Sequence, residues 1–161
     1  MNPAPTFPAS SPLATVLVTT DFSSLAERAM LFATRLVPAG GNVIVLSVQH
    51  PRALSDTEYE NGGWSEESTA QHQRHMDICR ERLAGSVLPI AAGWKVETVI
   101  LEEGNVAEAI CRTARERKVD AICISSHGYT GLRASLLGSV AQAVVSKAPC
   151  TVVLVRGEPT V

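Results

Sequence analysis

Residues 121–155 read AICISSHGYTGLRASLLGSVAQAVVSKAPCTVVLV. Two short apolar runs in this stretch, Ala121 to Ile124 and Thr151 to Val155, predict β-strands that are covered on both faces, because neither run alternates with polar residues. Between them, Ser139-Val140-Ala141-Gln142 fits a capping box and predicts a helix that starts at Ser139. Strand, helix and strand in this order predict a parallel βαβ unit with a right-handed crossover.

The same alternation extends toward the N-terminus. Three further apolar runs predict strands at Thr15 to Thr19, Val43 to Val48 and Val96 to Leu101. Patterns that resemble capping boxes at Ser24 and Asn105 mark two more helix starts. Two apolar stripes with helical spacing lie between the strands; they comprise Leu25, Ala29, Phe32 and Leu36, and then His72, Met76, Cys79 and Leu83. The chain is therefore predicted to be an α/β domain built on a parallel sheet.

Length and composition limit the number of domains and the class of partner. A chain of 161 residues with 45% hydrophobic residues can bury one core but not two. The net charge of -2 and the lack of a Lys/Arg-rich run argue against nucleic acid as a partner. The longest apolar runs have the length of strands, so no membrane-spanning segment is expected.

The two ends of the chain are predicted to lie outside the folded domain. Residues 1–13 carry four prolines and lack the basic start and long apolar stretch of a signal peptide, so we expect a disordered tail and a cytoplasmic protein. The domain is expected over residues 14–157, followed by a short tail at 158–161. The four cysteines, Cys79, Cys111, Cys123 and Cys150, form no C-x-x-C pair, which favours buried, reduced thiols.

Ligands of an open parallel sheet bind beyond the carboxyl ends of its strands. Of the segments that follow the predicted strands, only residues 125–139 open into a glycine-rich turn. Glycine lets backbone N–H groups approach a ligand closely, and the helix that begins at Gly138-Ser139 offers unpaired N–H groups to a phosphate. The alternative is a surface loop whose glycines only make turns and whose Ser139 only caps a helix.

Two other phosphate-binding motifs are excluded by the residues present. Gly138-Ser139 is not preceded by a GxxxxGK pattern, so the segment is not a P-loop. The turn after the first predicted strand, Asp21-Phe22-Ser23, lacks the glycines of a dinucleotide-binding fingerprint. A phosphate site is therefore expected after the fourth strand.

The sequence resembles the universal stress proteins from about Thr15 to Arg156. The residues that carry this resemblance are Thr20-Asp21-Phe22-Ser23, Gly104-Asn105, Gly128 followed after nine residues by Gly138-Ser139, and Ala148-Pro149-Cys150 before the last apolar run. The long motif is specific, whereas each short motif alone is weak. The resemblance implies an open five-stranded parallel sheet in the order 3-2-1-4-5 with helices on both faces, a Rossmann-like fold similar to the adenine nucleotide alpha hydrolases.

The resemblance also implies a ligand and a partner. ATP or AMP, with Mg²⁺ on the phosphates, is expected in the crevice between strands one and four. A homodimer is expected through the edge strand Thr151 to Val155, because an exposed apolar edge pairs readily with another chain. Position by position, the implied nucleotide-binding residues are Thr19, Thr20, Asp21, Val48, Gly104, Ser125, His127, Gly128, Arg133, Gly138, Ser139 and Val140.

Individual residues in this set leave alternatives open. Asp21 is expected on the ribose, the adenine or a metal ion, or else near a helix N-terminus for dipole reasons. Arg133 is expected to fold onto phosphates or to remain solvated, and His127 to donate a hydrogen bond to a phosphate. Ser125 departs from the family motif, which begins with glycine at this position, and Thr19 stands where the family commonly has proline.

Three functions are compatible with these residues. The first is an adenine-nucleotide-binding stress-response dimer with little or no hydrolysis. The second is a nucleotide-free dimeric interaction protein of the same fold. The third is a slow ATPase, for which Asp21 is the one well-placed carboxylate in the sequence and no catalytic residue can be assigned.

Overall fold

A computed structural model of the chain describes residues 13–52, 60–127 and 137–156. Its strands are β1 Thr15–Thr19, β2 Asn42–Gln49, β3 Lys95–Glu102, β4 Ala121–Ser125 and β5 Thr151–Val155. All neighbouring strands are parallel, in the order β3-β2-β1-β4-β5. The predicted five-stranded order 3-2-1-4-5 is therefore confirmed.

Helices cover both faces of this sheet, as predicted. They are α1 Ser24–Ala33, α2 Glu66–Ser86, α3 Leu88–Ala91, α4 Val106–Glu116 and α5 Ser139–Lys147. The core of one face contains residues of α1, α2 and α3, and the core of the other contains residues of α4 and α5. Among the described helices, none is both long and apolar enough to cross a membrane.

The central strand β1 explains the continuous apolar pattern of the sequence. Val16 and Val18 face the core beneath α1, whereas Leu17 faces the core beneath α4 and α5. None of these three side chains is exposed to solvent. Because successive side chains of a strand point to opposite faces, a strand covered on both faces needs apolar residues at every position.

Helix α1 packs through a face that the sequence pattern predicted only in part, since Ala29 is buried as expected. Its buried residues are Ala26, Ala29, Met30 and Ala33. The predicted stripe is wrong for Phe32, which is exposed, and for Leu25, which is only half-buried. Both stripes have helical spacing, and the alanine-rich face is the one that lets the helix approach the sheet closely. In α2, by contrast, Met76, Cys79 and Leu83 are buried as predicted.

The cap of the first helix lies one residue before the predicted one. Ser23, and not Ser24, is the N-cap of α1, because the Ser23 hydroxyl accepts a 3.2 Å hydrogen bond from the Ala26 N–H. The predicted start at Asn105 is confirmed, since the Asn105 side chain accepts from the Glu108 N–H and donates to the Glu108 carboxylate. Ser23 thus ends the turn after β1 and caps α1.

The cysteines are reduced, and three of the four are buried. Cys79, Cys111 and Cys123 are buried, and Cys150 is half-buried. Burial raises the pKa of Cys123 to about 12, so this thiol stays protonated and is a poor nucleophile. At the N-terminal end, Leu13 packs half-buried against the core beneath α1. The remainder of the predicted N-terminal tail and the tail at 158–161 lie outside the described residues.

Candidate functional site

A cleft of about 220 Å³ opens at the carboxyl ends of β1 and β4. The chain leaves β1 through α1 on one face and enters β4 from α4 on the other face, so this edge is the switch point of the sheet. Most of the residues predicted from the sequence line this cleft; they are Thr19, Thr20, Asp21, Val48, Ser125, His127, Gly138, Ser139 and Val140.

Three predicted residues are not placed in the lining. Gly104 is outside it, and a Cβ atom added at Gly104 would meet no other atom within 4 Å. Gly128 and Arg133 belong to residues 128–136, which lie outside the described part of the chain.

One wall of the cleft is apolar and was only partly predicted. Val48 was expected there, but Leu46, Val106 and Ile110 were not. Val106 and Ile110 are one helical turn apart, directly after the N-cap Asn105. That spacing is the signal in the sequence that would have found them, because residues at i and i+4 share one face of a helix. This wall can receive a flat, weakly polar group.

The turn after β1 holds Asp21 through a series of local hydrogen bonds. The buried Thr20 hydroxyl accepts from the Phe22 N–H at 3.0 Å. The Asp21 carboxylate accepts from the Ser23 N–H, also at 3.0 Å. The Thr20 N–H in turn donates to the Leu46 carbonyl at 2.9 Å. These bonds link the position of Asp21 in the cleft to its own backbone and to β2.

The end of β4 is tied to the start of α5 through Ser126, which is 1% exposed. The Ser126 N–H donates to the Val155 carbonyl at 2.9 Å, and the Gly138 N–H donates to the Ser126 carbonyl at 2.8 Å. A Cβ atom on Gly138 would lie only 3.2 Å from that same carbonyl oxygen. Glycine suits this position because the two backbones approach so closely that a Cβ atom would be crowded.

The N-terminus of α5 opens into the cleft without a side-chain cap. Ser139 was predicted to cap this helix, and that prediction is wrong. Gly138 is the N-cap, no side chain of the described residues caps it, and Ser139 is the first helical residue. The helix does begin at Ser139 as predicted, but its N-cap lies one residue earlier, at Gly138, whose N–H is bonded to the Ser126 carbonyl.

Unpaired backbone donors follow from this uncapped end. The first helical hydrogen bond runs from the Gln142 N–H to the Gly138 carbonyl at 2.9 Å. The N–H groups of Ser139, Val140 and Ala141 precede it and have no acceptor within the helix. All three residues line the cleft. Together with the positive end of the helix dipole, they form a site that attracts an anion.

His127 adds a side-chain nitrogen with no partner. Its Nδ1 lies 2.9 Å from the Ser126 hydroxyl oxygen. Its Nε2 is buried and has no hydrogen-bond partner among the described residues. A buried polar atom without a partner is costly, so a ligand that bonds to Nε2 would recover that free energy. His127 itself lines the cleft.

The charges around the cleft are few. Among its described lining residues, Asp21 is the one carboxylate, and there is no lysine or arginine. The described residues also contain no cluster of three metal-ligating side chains. Attraction of an anion by this part of the cleft therefore depends on the helix N-terminus and on His127.

Comparison with known proteins agrees with this geometry. The model of the Universal stress protein family matches residues 13–156 of the chain. The chain belongs to the universal stress protein family. A universal stress protein from the QAH/OAS sulfhydrylase 3' region of Thermus aquaticus is 31% identical over 144 residues, which are 88% of this chain and 98% of that protein.

Solved structures of the family share the fold. The hypothetical protein MJ0577 of Methanocaldococcus jannaschii superimposes with a TM-score of 0.77 and 26% identity, covering 93% of this chain and all of that one. The universal stress protein of Archaeoglobus fulgidus, solved in complex with dAMP, has a TM-score of 0.54 and 25% identity, with 90% and 99% of the two chains covered. The Rossmann-like architecture is thus shared with these universal stress proteins.

Proposed function

We propose that this universal stress protein binds an adenine nucleotide, ATP or AMP, in the cleft between β1 and β4. The observation that carries the proposal is the N-terminus of α5, which has no side-chain cap among the described residues and whose first N–H groups lie in the same cleft as Asp21 and the apolar wall at Val48. A nucleotide presents a matching set of groups. It has an apolar base, a ribose with hydroxyl groups and an anionic phosphate.

The proposed pose follows the distribution of polar and apolar groups. Adenine packs on the apolar wall beside Val48, with Thr19 and Thr20 at its edge. The ribose lies near Asp21, whose carboxylate is a hydrogen-bond acceptor for its hydroxyl groups, with Ser125 and Gly104 nearby. The phosphates bind the N–H groups at Ser139 and Val140, with His127 as a further donor; Gly128, Arg133 and Gly138 complete the proposed phosphate site.

The ligand bound to a related protein supports adenine as the base. The Archaeoglobus fulgidus protein of the same family has been solved with dAMP. Because that protein shares 25% identity over 90% of this chain, its ligand suggests the class of nucleotide and not the number of phosphates. ATP and AMP therefore remain the two candidates, and titration calorimetry with each nucleotide distinguishes them.

Binding with little or no hydrolysis is the expected activity. Hydrolysis of ATP needs a positioned water and stabilisation of the charge that develops on the phosphates, usually by a metal ion. Asp21 is the one carboxylate among the described lining residues. Mg²⁺, when ATP is bound, would be held mainly by the phosphates, with Asp21 as the acidic side chain nearest to it.

Titration calorimetry with AMP, ADP, ATP and GTP on protein freed of bound nucleotide tests this proposal. We expect saturable binding of AMP or ATP and weaker binding of GTP, and a nucleotide at a hundredfold excess over Kd should stabilise the fold by about 2.7 kcal/mol. If no adenine nucleotide binds at millimolar concentration, the proposal fails. Gain of binding by Ser125→Gly would then indicate a nucleotide-free interaction protein whose cleft is blocked by Ser125.

We also propose that the protein acts as a homodimer in the cytoplasm, in the response to stress, through pairing of β5 with its copy. Within the described sheet, β5 is a terminal strand and Leu154 on it is exposed. The helices α1 and α5 pack against β5 and carry the exposed apolar side chains Phe32 and Val145. An apolar strand edge flanked by apolar side chains favours pairing across a two-fold axis.

Sedimentation velocity tests the dimer. Wild type and the control Ile78→Lys, which changes an exposed apolar residue of α2, should sediment as dimers. Leu154→Lys should sediment as a monomer, because like charges would meet across the two-fold axis. A monomeric wild type, or a Leu154→Lys variant that remains dimeric, would contradict the proposed interface.

A further inference from the structure

The turn that carries Asp21 contains a residue in an unfavourable backbone conformation. Phe22 has φ of 64°, in the left-handed region that a residue with a Cβ atom rarely adopts. Such a conformation persists only where the surrounding structure holds it, and it is common at functional sites. Phe22 lies directly between Asp21 and Ser23, whose side-chain-to-backbone bond orients the carboxylate.

The backbone of Phe22 is held by Thr20, directly after β1, and its ring is held by the core. Its N–H donates to the Thr20 hydroxyl at 3.0 Å. Its ring packs, half-buried, against the core cluster beneath α1 that also contains Met30 and Leu83. These contacts cover only part of the ring.

The rest of the support comes from α2, which is remote in sequence. The Arg82 guanidinium carbon lies 4.5 Å from the centroid of the Phe22 ring, within the range of a cation–π interaction. Among the described residues, Arg82 has no ion-pair partner. Arg80, on the same helix, instead pairs with Asp77 at 2.6 Å. The cation–π contact of Arg82 is therefore made with the strained turn.

We propose that Arg82 is a positioning residue for the nucleotide site, which acts by holding Phe22 and, through it, the Asp21 carboxylate. The inference rests on the proposed function, because its consequence for the ligand is a change in nucleotide affinity. Arg82 is outside the lining of the cleft, so its effect is transmitted through the turn and not by contact with the ligand. It would couple the position of α2 to the occupancy of the cleft.

The first test is hydrogen exchange of the nucleotide-free protein, measured by NMR at the Phe22 and Ser23 amides. Both amides are hydrogen-bonded within the turn. In Arg82→Ala they should exchange about two- to fivefold faster than in wild type, because loss of the cation–π contact of the exposed Arg82 favours opening of the turn. In the matched control Arg80→Ala they should exchange at the wild-type rate. Equal rates in the two variants would overturn the inference.

The second test is nucleotide affinity, measured well below the melting temperature of every variant. Arg82→Ala should weaken AMP binding about two- to fivefold relative to Arg80→Ala, and Phe22→Leu should do the same. The double variant should bind no more weakly than either single variant, since both remove one shared contact. Additive losses, or unchanged affinity in Arg82→Ala, would contradict the positioning role.

The two measurements distinguish failure of the positioning role of Arg82 from failure of the proposed function. If wild type binds no adenine nucleotide, the proposed function fails and hydrogen exchange alone decides whether Arg82 holds the turn. If wild type binds and Arg82→Ala exchanges faster at the turn without loss of affinity, the proposed function stands and the positioning role is wrong. Arg82→Lys, which keeps the cation, should restore part of both effects.

Discussion

Two helix N-termini at the same edge of the sheet are built in opposite ways. Helix α1 follows β1 and is closed by the Ser23 hydroxyl, which accepts the Ala26 N–H. Helix α5 follows the neighbouring strand β4 and has Gly138 at the N-cap, with no side-chain cap from the part of the chain that the structure describes. The comparison shows that a capped end fixes the shape of a turn, whereas an uncapped end keeps its N–H groups available for an anion.

A negative charge at the open end should have the largest effect on binding. Ser139→Asp places a carboxylate at the first residue of α5, where it would repel a phosphate and remove a charge-assisted contact. Affinity for AMP should fall roughly ten- to a hundredfold, or about 1.4 to 2.8 kcal/mol, by calorimetry. The stability of the nucleotide-free protein should not fall, because a carboxylate is favourable at a helix N-terminus.

The matched control is Ser24→Asp. Ser24 is the first residue of α1, as Ser139 is of α5, but it does not line the cleft. This variant should have the same or slightly higher stability and unchanged affinity for AMP. Equal affinity losses in the two variants would show that general electrostatics, and not the open end of α5, controls binding.

Removal of His127 Nε2 should have the next largest effect. His127→Asn keeps an amide group near the position of Nδ1, which pairs with Ser126, and deletes the buried nitrogen that has no partner among the described residues. Affinity for AMP should fall about three- to tenfold, the usual worth of one hydrogen bond. The control His127→Gln restores a polar group near Nε2 and should bind more tightly than Asn. Wild-type affinity in a folded His127→Asn variant would remove this residue from the site.

Deletion of a true cap should change stability and leave binding almost intact. Asn105→Ala removes the cap of α4 and should lower the free energy of unfolding by about 1 kcal/mol in urea titrations. Ser139→Ala should lower it by no more than a few tenths of a kcal/mol in the nucleotide-free protein, because Ser139 does not cap α5. A loss in Ser139→Ala as large as that in Asn105→Ala would contradict the assignment of α5 as uncapped.

The fold was well predicted because its signals are local in the sequence or belong to the family motif. Continuous apolar runs identify strands covered on both faces, as for Val16 to Val18, and the glycine-bearing motif implied the strand order. Helix starts were less certain. Asn105 was correctly predicted as a cap, whereas the caps predicted at Ser24 and Ser139 lie one residue earlier, at Ser23 and Gly138. Two adjacent residues can both satisfy a capping pattern, and tertiary bonds select between them.

Parts of the site could not be predicted because they depend on packing between distant segments. The unpartnered Nε2 of His127 and the Arg82 contact with Phe22 follow from tertiary structure that no local pattern records. The burial of Ser126 likewise comes from its bonds to Val155 and Gly138, which are remote from each other in the chain. Sequence identified the residue types at the strand ends, and the structure shows which of their polar groups are satisfied.

NMR titration of the N–H groups at Ser139, Val140 and Ala141 tests the central claim most directly. AMP should shift these three amides strongly downfield, as expected for N–H groups that donate to a phosphate, while adenosine, which lacks the phosphate, should leave them nearly unchanged. The Ala26 amide, already bonded to Ser23, should not respond to the phosphate. Equal shifts with AMP and adenosine, or none at the start of α5, would contradict the claim that this open helix end holds the phosphate.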